Sequence, residues 1–265
     1  MILQTIIEHK RQEIQALIAT ANIRDMARQV SKLPPARDFK KSISSPGRVN
    51  LIAEIKKRSP SKGILCPDFD HRRLARIYTE NGAAAISVLT DSRFFGGQLA
   101  YLEEVRQETE LPLLRKDFII DPVQLYQSRL AGADAVLLIA AVLSDEELSH
   151  LLALAGDLGL QALTEVHTQE ELMRVLQAGA EIIGINNRNL HTFDTDLVTT
   201  RHLAGLINRP GITVVSESGI YSQAHMQFLS NLGVHAALVG EALVIAPDTG
   251  CKVRELAGGG GPLAE

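Results

Sequence analysis

Five segments of the chain repeat one pattern, in which a glycine beside a small or apolar residue leads into an apolar run, and four of the five carry a polar side chain at or near its end. They read NGAAAISVLT at 81–90, AGADAVLLIA at 131–140, LGLQALTEV at 158–166, AGAEIIGINN at 178–187 and LGVHAALVGE at 232–241. Gly82, Gly132, Gly159, Gly179 and Gly233 sit where a helix must end in a left-handed residue before the chain turns into a strand. Adding the apolar runs at 51–55, 111–118 and 212–218 gives eight strands, with room for a helix in each interval. One such interval, Ser144 to Leu154, opens with Ser144 as N-cap and Glu147 as its capping-box partner. Strands apolar on both faces, alternating with helices, make a parallel sheet covered by helices.

Eight units suit a closed barrel better than an open doubly wound sheet, which carries fewer strands and a GxGxxG turn that is absent here. A length of 265 residues is ordinary for one such barrel. The expected fold is therefore α/β, a single (βα)8 TIM barrel at 49–257. Residues 1–48 precede it as a helical extension: Ile2, Leu3, Ile6, Ile7, Ile14, Leu17 and Ile18 form one apolar stripe at helical spacing, and an irregular, proline-containing connection follows from Ser31 to Gly47. The glycine-rich tail at 258–265 is expected to be disordered.

Several function classes drop out early. A net charge of −4 gives no basic face for nucleic acid. The apolar runs are strand-length and the first eighteen residues are broken by Glu8, His9, Lys10 and Arg11, so neither membrane insertion nor export is expected. Cys66 and Cys251 match no zinc spacing and the histidines form no HxH or HExxH pair, so a reduced cytoplasmic protein without a metal is the reading. Nothing sets the oligomeric state, and a monomer is compatible with the sequence.

In a βα barrel the active site lies at the C-terminal ends of the strands. These ends are polar: Glu54 and Lys56 on the first strand, Lys116 and Asp117 on the third, Glu165 on the fifth, Asn186 with Arg188 beyond it on the sixth, and Glu217 with Ser218 on the seventh. One lysine leaving a strand is usually just solvated. Lysines and carboxylates converging on one mouth shift each other's proton affinities, as acid–base catalysis near neutrality requires. The seventh and eighth loops begin SGI at 218–220 and GEAL at 240–243, where barrels of this kind often bind phosphate, and Gly219 and Gly240 would let backbone N–H groups approach an anion. The basic segment KKRSPSKG at 56–63 reads as a lid over an anionic substrate, with Arg58 and Ser59 as contacts. Phe94, Phe95 and Phe118 could be core or a wall for an aromatic ligand.

The stretches IAEIKKRSPSKG (52–63), SVLTDSRFFGG (87–97), LLRKDFI (113–119), GADAVLLI (132–139), TEVH (164–167), GINNRNL (184–190), SESGI (216–220) and LVGEAL (238–243) resemble the indole-3-glycerol-phosphate synthase family across nearly the whole chain. The resemblance implies conversion of 1-(2-carboxyphenylamino)-1-deoxyribulose 5-phosphate to indole-3-glycerol phosphate, CO2 and water, a cofactor-free step of tryptophan biosynthesis. It makes the N-terminal helix a cover over the barrel mouth. It implies Lys116 as the acid for ring closure, acid roles for Glu165 and Lys56, and a base role for Glu54. Asn186, Arg188, Glu217 and Ser218 match positions that orient the substrate, Gly219, Gly240 and Arg58 would hold the phosphate, and Glu241 is a further substrate-binding residue. Association with other tryptophan-pathway enzymes is left open. Two other readings are a different phosphate-binding barrel such as phosphoribosylanthranilate isomerase, which would lack the paired lysines of strands one and three, and a non-catalytic binding module, which would show a degraded catalytic set.

Overall fold

The computed structural model describes residues 2–189 and 192–258. Eight parallel strands close a barrel: β1 (Asn50–Ile55), β2 (Ala85–Leu89), β3 (Leu113–Lys116), β4 (Ala135–Ile139), β5 (Gln161–Val166), β6 (Ile182–Asn186), β7 (Thr213–Glu217) and β8 (Ala236–Val239). Each strand pairs with the next in sequence, and β8 closes on β1 with Asn50 opposite Ala236. All eight expected strands are present. Gly82, Gly132, Gly159, Gly179 and Gly233 all have positive φ, and Ser144 and Glu147 form the reciprocal capping box at the start of the helix Asp145–Asp157.

Inward-facing Ile52, Leu114, Leu137, Leu163 and Val215 fill the barrel, while Leu51, Ile55, Val88, Val136 and Ile183 face the surrounding helices. The interior is a packed core, which fixes the strand ends as a rigid platform for the mouth.

Three helices precede β1: α1 (Ile2–Thr20), α2 (Ile23–Val30) and α3 (Phe39–Ile43). The stretch expected to be irregular from Ser31 to Gly47 holds α3, a correction with a plain cause. Asp38 caps its N-terminus on Lys41 N–H, and Phe39 and Ile43, both fully buried, plug the N-terminal end of the barrel. Burying two such side chains is worth roughly 1.5–3 kcal/mol each. Asn50 locks the plug by donating to the carbonyls of Ile43 and Ser45. The extension thus reaches both ends of the barrel, since Ile2, Leu3 and Ile6 of α1 line the cavity at the opposite end. Of the anticipated stripe on α1, Ile6, Ile7 and Ile14 are buried, whereas Ile18 is exposed. Among the described residues no helix is long and apolar enough to cross a membrane. The tail expected to be disordered lies, from 259 on, outside the described residues.

Candidate active site

The parallel register brings the C-terminal ends of β1, β3, β5, β6 and β7 around one cavity lined by Glu54, Lys56, Lys116, Glu165, Asn186 and Glu217. Lys116 Nζ lies 3.4 Å from Glu165 Oε2 and 3.4 Å from Glu217 Oε2. Lys56 Nζ lies 3.1 Å from Glu54 Oε1. Three buried carboxylates therefore face two ammonium groups, leaving one negative charge in excess. Burial works against the charge on Lys116, but Glu217, Glu165 and Glu54 outweigh it and raise its proton affinity above that of a free lysine. Burial pushes the Glu217 carboxyl up to about 7, and Glu165 and Glu54 add to this against the opposing pull of Lys116. Burial also acts to raise Glu165, yet Lys116, His167 and a hydrogen bond from Asn186 win and hold it below the usual carboxylate range. Near neutrality Glu217 therefore gains and loses a proton readily, while Glu165 stays ionised.

Two glycines within the barrel wall make room for these acids. A Cβ at Gly184 on β6 would collide with Glu217 Oε1, and one at Gly240 with Glu54 Oε1. Gly240 was expected for an anion's sake; the structure gives it the additional task of clearing Glu54. Gly219, with φ +77, lies in the turn after β7, and the preceding Ser218 takes φ +67, a conformation uncommon for a residue with a side chain. Buried Asn187 holds that turn, donating to Ser216 Oγ and to the carbonyls of Glu217 and Ser218 while accepting from Thr200. Asn187 stood in the GINN motif but its role could not be read there, since its partners lie up to 31 positions away.

Ser59, Phe118, Arg188, Ser218, Gly219 and Glu241 also line the cavity, as expected. Arg58 does not. Residues Arg58–Ser59 pair with Gly63–Ile64 in a small antiparallel hairpin, and alternation along its strand turns Ser59 inward and Arg58 outward, against Gly96. From the same hairpin Lys62 reaches Glu241 Oε1 at 2.5 Å, where Tyr221 also donates. Burial tends to raise Glu241, but Lys62 outweighs it and keeps the carboxylate charged. Phe95 and Phe118, 6.2 Å apart, form with Ile2, Leu3 and Ile6 an apolar wall facing the charges.

A second buried cluster, missed in the sequence, ties α1 to this platform. Lys10 is 4% exposed and lies 3.0 Å from Asp117 Oδ1 and 3.3 Å from Asp91 Oδ2. Its signal was available, because Lys10 interrupts the apolar stripe between Ile7 and Ile14 where a hydrophobic residue would be expected. Asp117 is held down to about 2: burial raises it, but Arg115 and Lys10 prevail. Asp91 in turn accepts from the N–H groups of Phe94 and Phe95, so the latch also sets the aromatic wall.

A family model described as indole-3-glycerol phosphate synthase matches residues 3–256. Among curated proteins, an indole-3-glycerol phosphate synthase from Desulforamulus reducens is 61% identical over 261 residues, covering 98% of each chain. Another from Roseiflexus castenholzii is 54% identical, covering 97% of this chain and 98% of its own. Among solved structures, a thiamine phosphate pyrophosphorylase from Pyrococcus furiosus superposes with a TM-score of 0.61 at 18% identity, covering 83% of this chain and 96% of its own, which is a likeness of fold.

Proposed function

Since the chain belongs to the indole-3-glycerol phosphate synthase family, we propose how its mouth divides the proton transfers of that reaction. The enzyme is a carboxy-lyase of tryptophan biosynthesis: it closes the ring of 1-(2-carboxyphenylamino)-1-deoxyribulose 5-phosphate with loss of CO2 and water. The ring carbon bearing the carboxylate attacks the ketone, whose oxygen becomes an alkoxide needing a proton. Lys116, charged and at the centre of the carboxylates, supplies it. Departure of CO2 restores the aromatic ring. Dehydration then needs an acid for the leaving hydroxyl and a base for the neighbouring C–H. Lys56 and Glu54, 3.1 Å apart, take these two roles and reset by passing the proton between themselves. Glu165, held ionised, suits a carrier that restores the proton of Lys116 better than a standing acid.

The substrate's aromatic ring lies on the Phe95–Phe118 wall beneath α1, and its hydroxyls meet Asn186, Ser218 and Glu217, whose carboxyl can donate or accept near neutrality. The phosphate sits at the turns after β7 and β8, beside Gly219 and Gly240. Lys62, parked on Glu241, supplies the cation that Arg58 was expected to bring. The observation that carries this reading is the placement of the Lys116 ammonium between Glu165 and Glu217, opposite the Lys56–Glu54 pair. Incubation with the carboxyphenylamino-deoxyribulose phosphate should yield a product with indole fluorescence; folded protein that yields none would remove it.

A further inference from the structure

Charge balance in the assigned reaction leaves one proton unaccounted for. The substrate loses a carboxylate as neutral CO2, so each turnover takes up one proton from outside. The Lys56–Glu54 exchange is neutral overall, and the deficit falls on Lys116. Lys116 is half-buried under a mouth covered by α1, and its partners are carboxylates.

One group stands ready beside this point. His167, the residue after β5, has a side chain 9% exposed and is wedged between two glutamates. Glu171 Oε2, on the helix Gln169–Gln177, accepts from the His167 backbone N–H at 2.6 Å and lies 3.4 Å from Nδ1. On the other side Nε2 is buried, makes no hydrogen bond, and lies 3.5 Å from Glu165 Oε1. With Nδ1–H directed at Glu171, a neutral ring would aim the lone pair of Nε2 at a carboxylate. Two acceptors facing each other in a buried site are mutually repulsive, so a proton belongs between them.

We propose that His167 is a positioning residue that carries this proton, recharging Lys116 through Glu165 after each ring closure. The inference rests on the reaction assigned above. In the step, the Nε2–H bond of the His167 imidazolium breaks and an O–H bond forms on Glu165. A half-turn of that carboxyl presents the proton to the neutral Lys116 amine 3.4 Å away, where the O–H breaks and an N–H forms. The imidazole, its Nδ1–H still on Glu171, takes its replacement from a solvent acid. The titratable groups facing the ring are Glu165 on its own strand, Glu171 on the following helix and Glu217 on β7, with Lys116 beyond Glu165. Burial disfavours the imidazolium, but Glu171, Glu165 and Glu217 together raise its proton affinity. The residue touches no reacting atom and acts only through Glu165.

The role separates the first turnover from those that follow, because the first consumes the proton already on Lys116. With His167→Asn, and with His167→Gln as a second variant, the first turnover should keep the wild-type rate. Steady-state turnover should fall about tenfold near pH 8, recover near pH 6, and be restored by added imidazole as a diffusible acid. Rapid-mixing fluorescence over a pH series, on folded variants beside the wild-type enzyme, reads all three. A first turnover slowed as much as the later ones, or a loss equal at every pH and unrelieved by imidazole, would overturn the relay and leave His167 a structural prop. Unchanged steady-state turnover in both variants would overturn it as well. Absence of product from the wild-type enzyme would instead remove the assigned reaction.

Discussion

The two ends of this barrel use the same residue types to opposite purposes. At the floor, Asp134 just before β4 is fully buried and surrounded by donors: the backbone N–H of Arg37 at 2.7 Å, the Arg106 guanidinium at 2.6 Å and the Leu113 N–H at 2.8 Å. At the mouth, Glu217 is equally buried but shares one lysine with Glu165 at 3.4 Å, and its Oε1 has no hydrogen-bond partner. At the floor both Asp134 oxygens are hydrogen-bonded, and they hold the N-terminal extension to the sheet. Mouth carboxylates are left short of partners, so their protons can move. A buried carboxylate stabilises when both its oxygens find donors, and it becomes reactive when one is left without.

The contrast can be broken at several places. Asp134→Ala strands Arg106 and two backbone N–H groups, and should cost about 3–5 kcal/mol in denaturant unfolding while leaving kcat of the folded fraction within about twofold. A comparable loss of kcat would deny the division between the ends. Gly184→Ala puts a methyl against Glu217 Oε1 and should lower kcat about a hundredfold, roughly 2.7 kcal/mol, with a smaller effect on stability. Glu217→Gln probes the mouth through pH. Because its carboxyl rises from 4.5 to about 7 on folding, the wild-type residue favours the folded state fully below 4.5, and that advantage is lost as pH climbs through about 7. Unfolding midpoints measured across this window should fall for the wild type and stay flatter for the glutamine variant. Least of all, Arg58→Ala should change kcat/KM by under about twofold, since the side chain faces away from the cavity. A large rise in KM would return Arg58 to the phosphate.

Much of the barrel was legible because its rules are local. A glycine at each helix end and an apolar run after it suffice to mark a βα unit, and a polar residue at the strand's end marks the mouth. What escaped depends on distance in the chain or on side-chain direction. The sign of one alternation in a hairpin of two-residue strands separates Ser59 from Arg58. Lys62 meets Glu241 from 179 positions away, and no pattern in either segment announces the other. Gly184 sits in mid-strand, where its absent Cβ acquires meaning only once Glu217 is seen to fill the space. Phe39 and Ile43 looked like loop residues because five residues of helix are too few to show a period. Lys10 was the one missed residue with a readable signal, a charge set in an apolar stripe.

Lys116→Arg distinguishes a lysine that gives up a proton at ring closure from one that only neutralises the carboxylates around it. Arginine keeps the positive charge and can still pair with Glu165 and Glu217, but does not release its proton near neutrality. The measurement is the rate of indole fluorescence in a single turnover, on folded variant with saturating substrate. A proton-donating Lys116 gives a loss of about a thousandfold with substrate still bound; a rate within a few-fold of wild type would mean that it acts through charge alone.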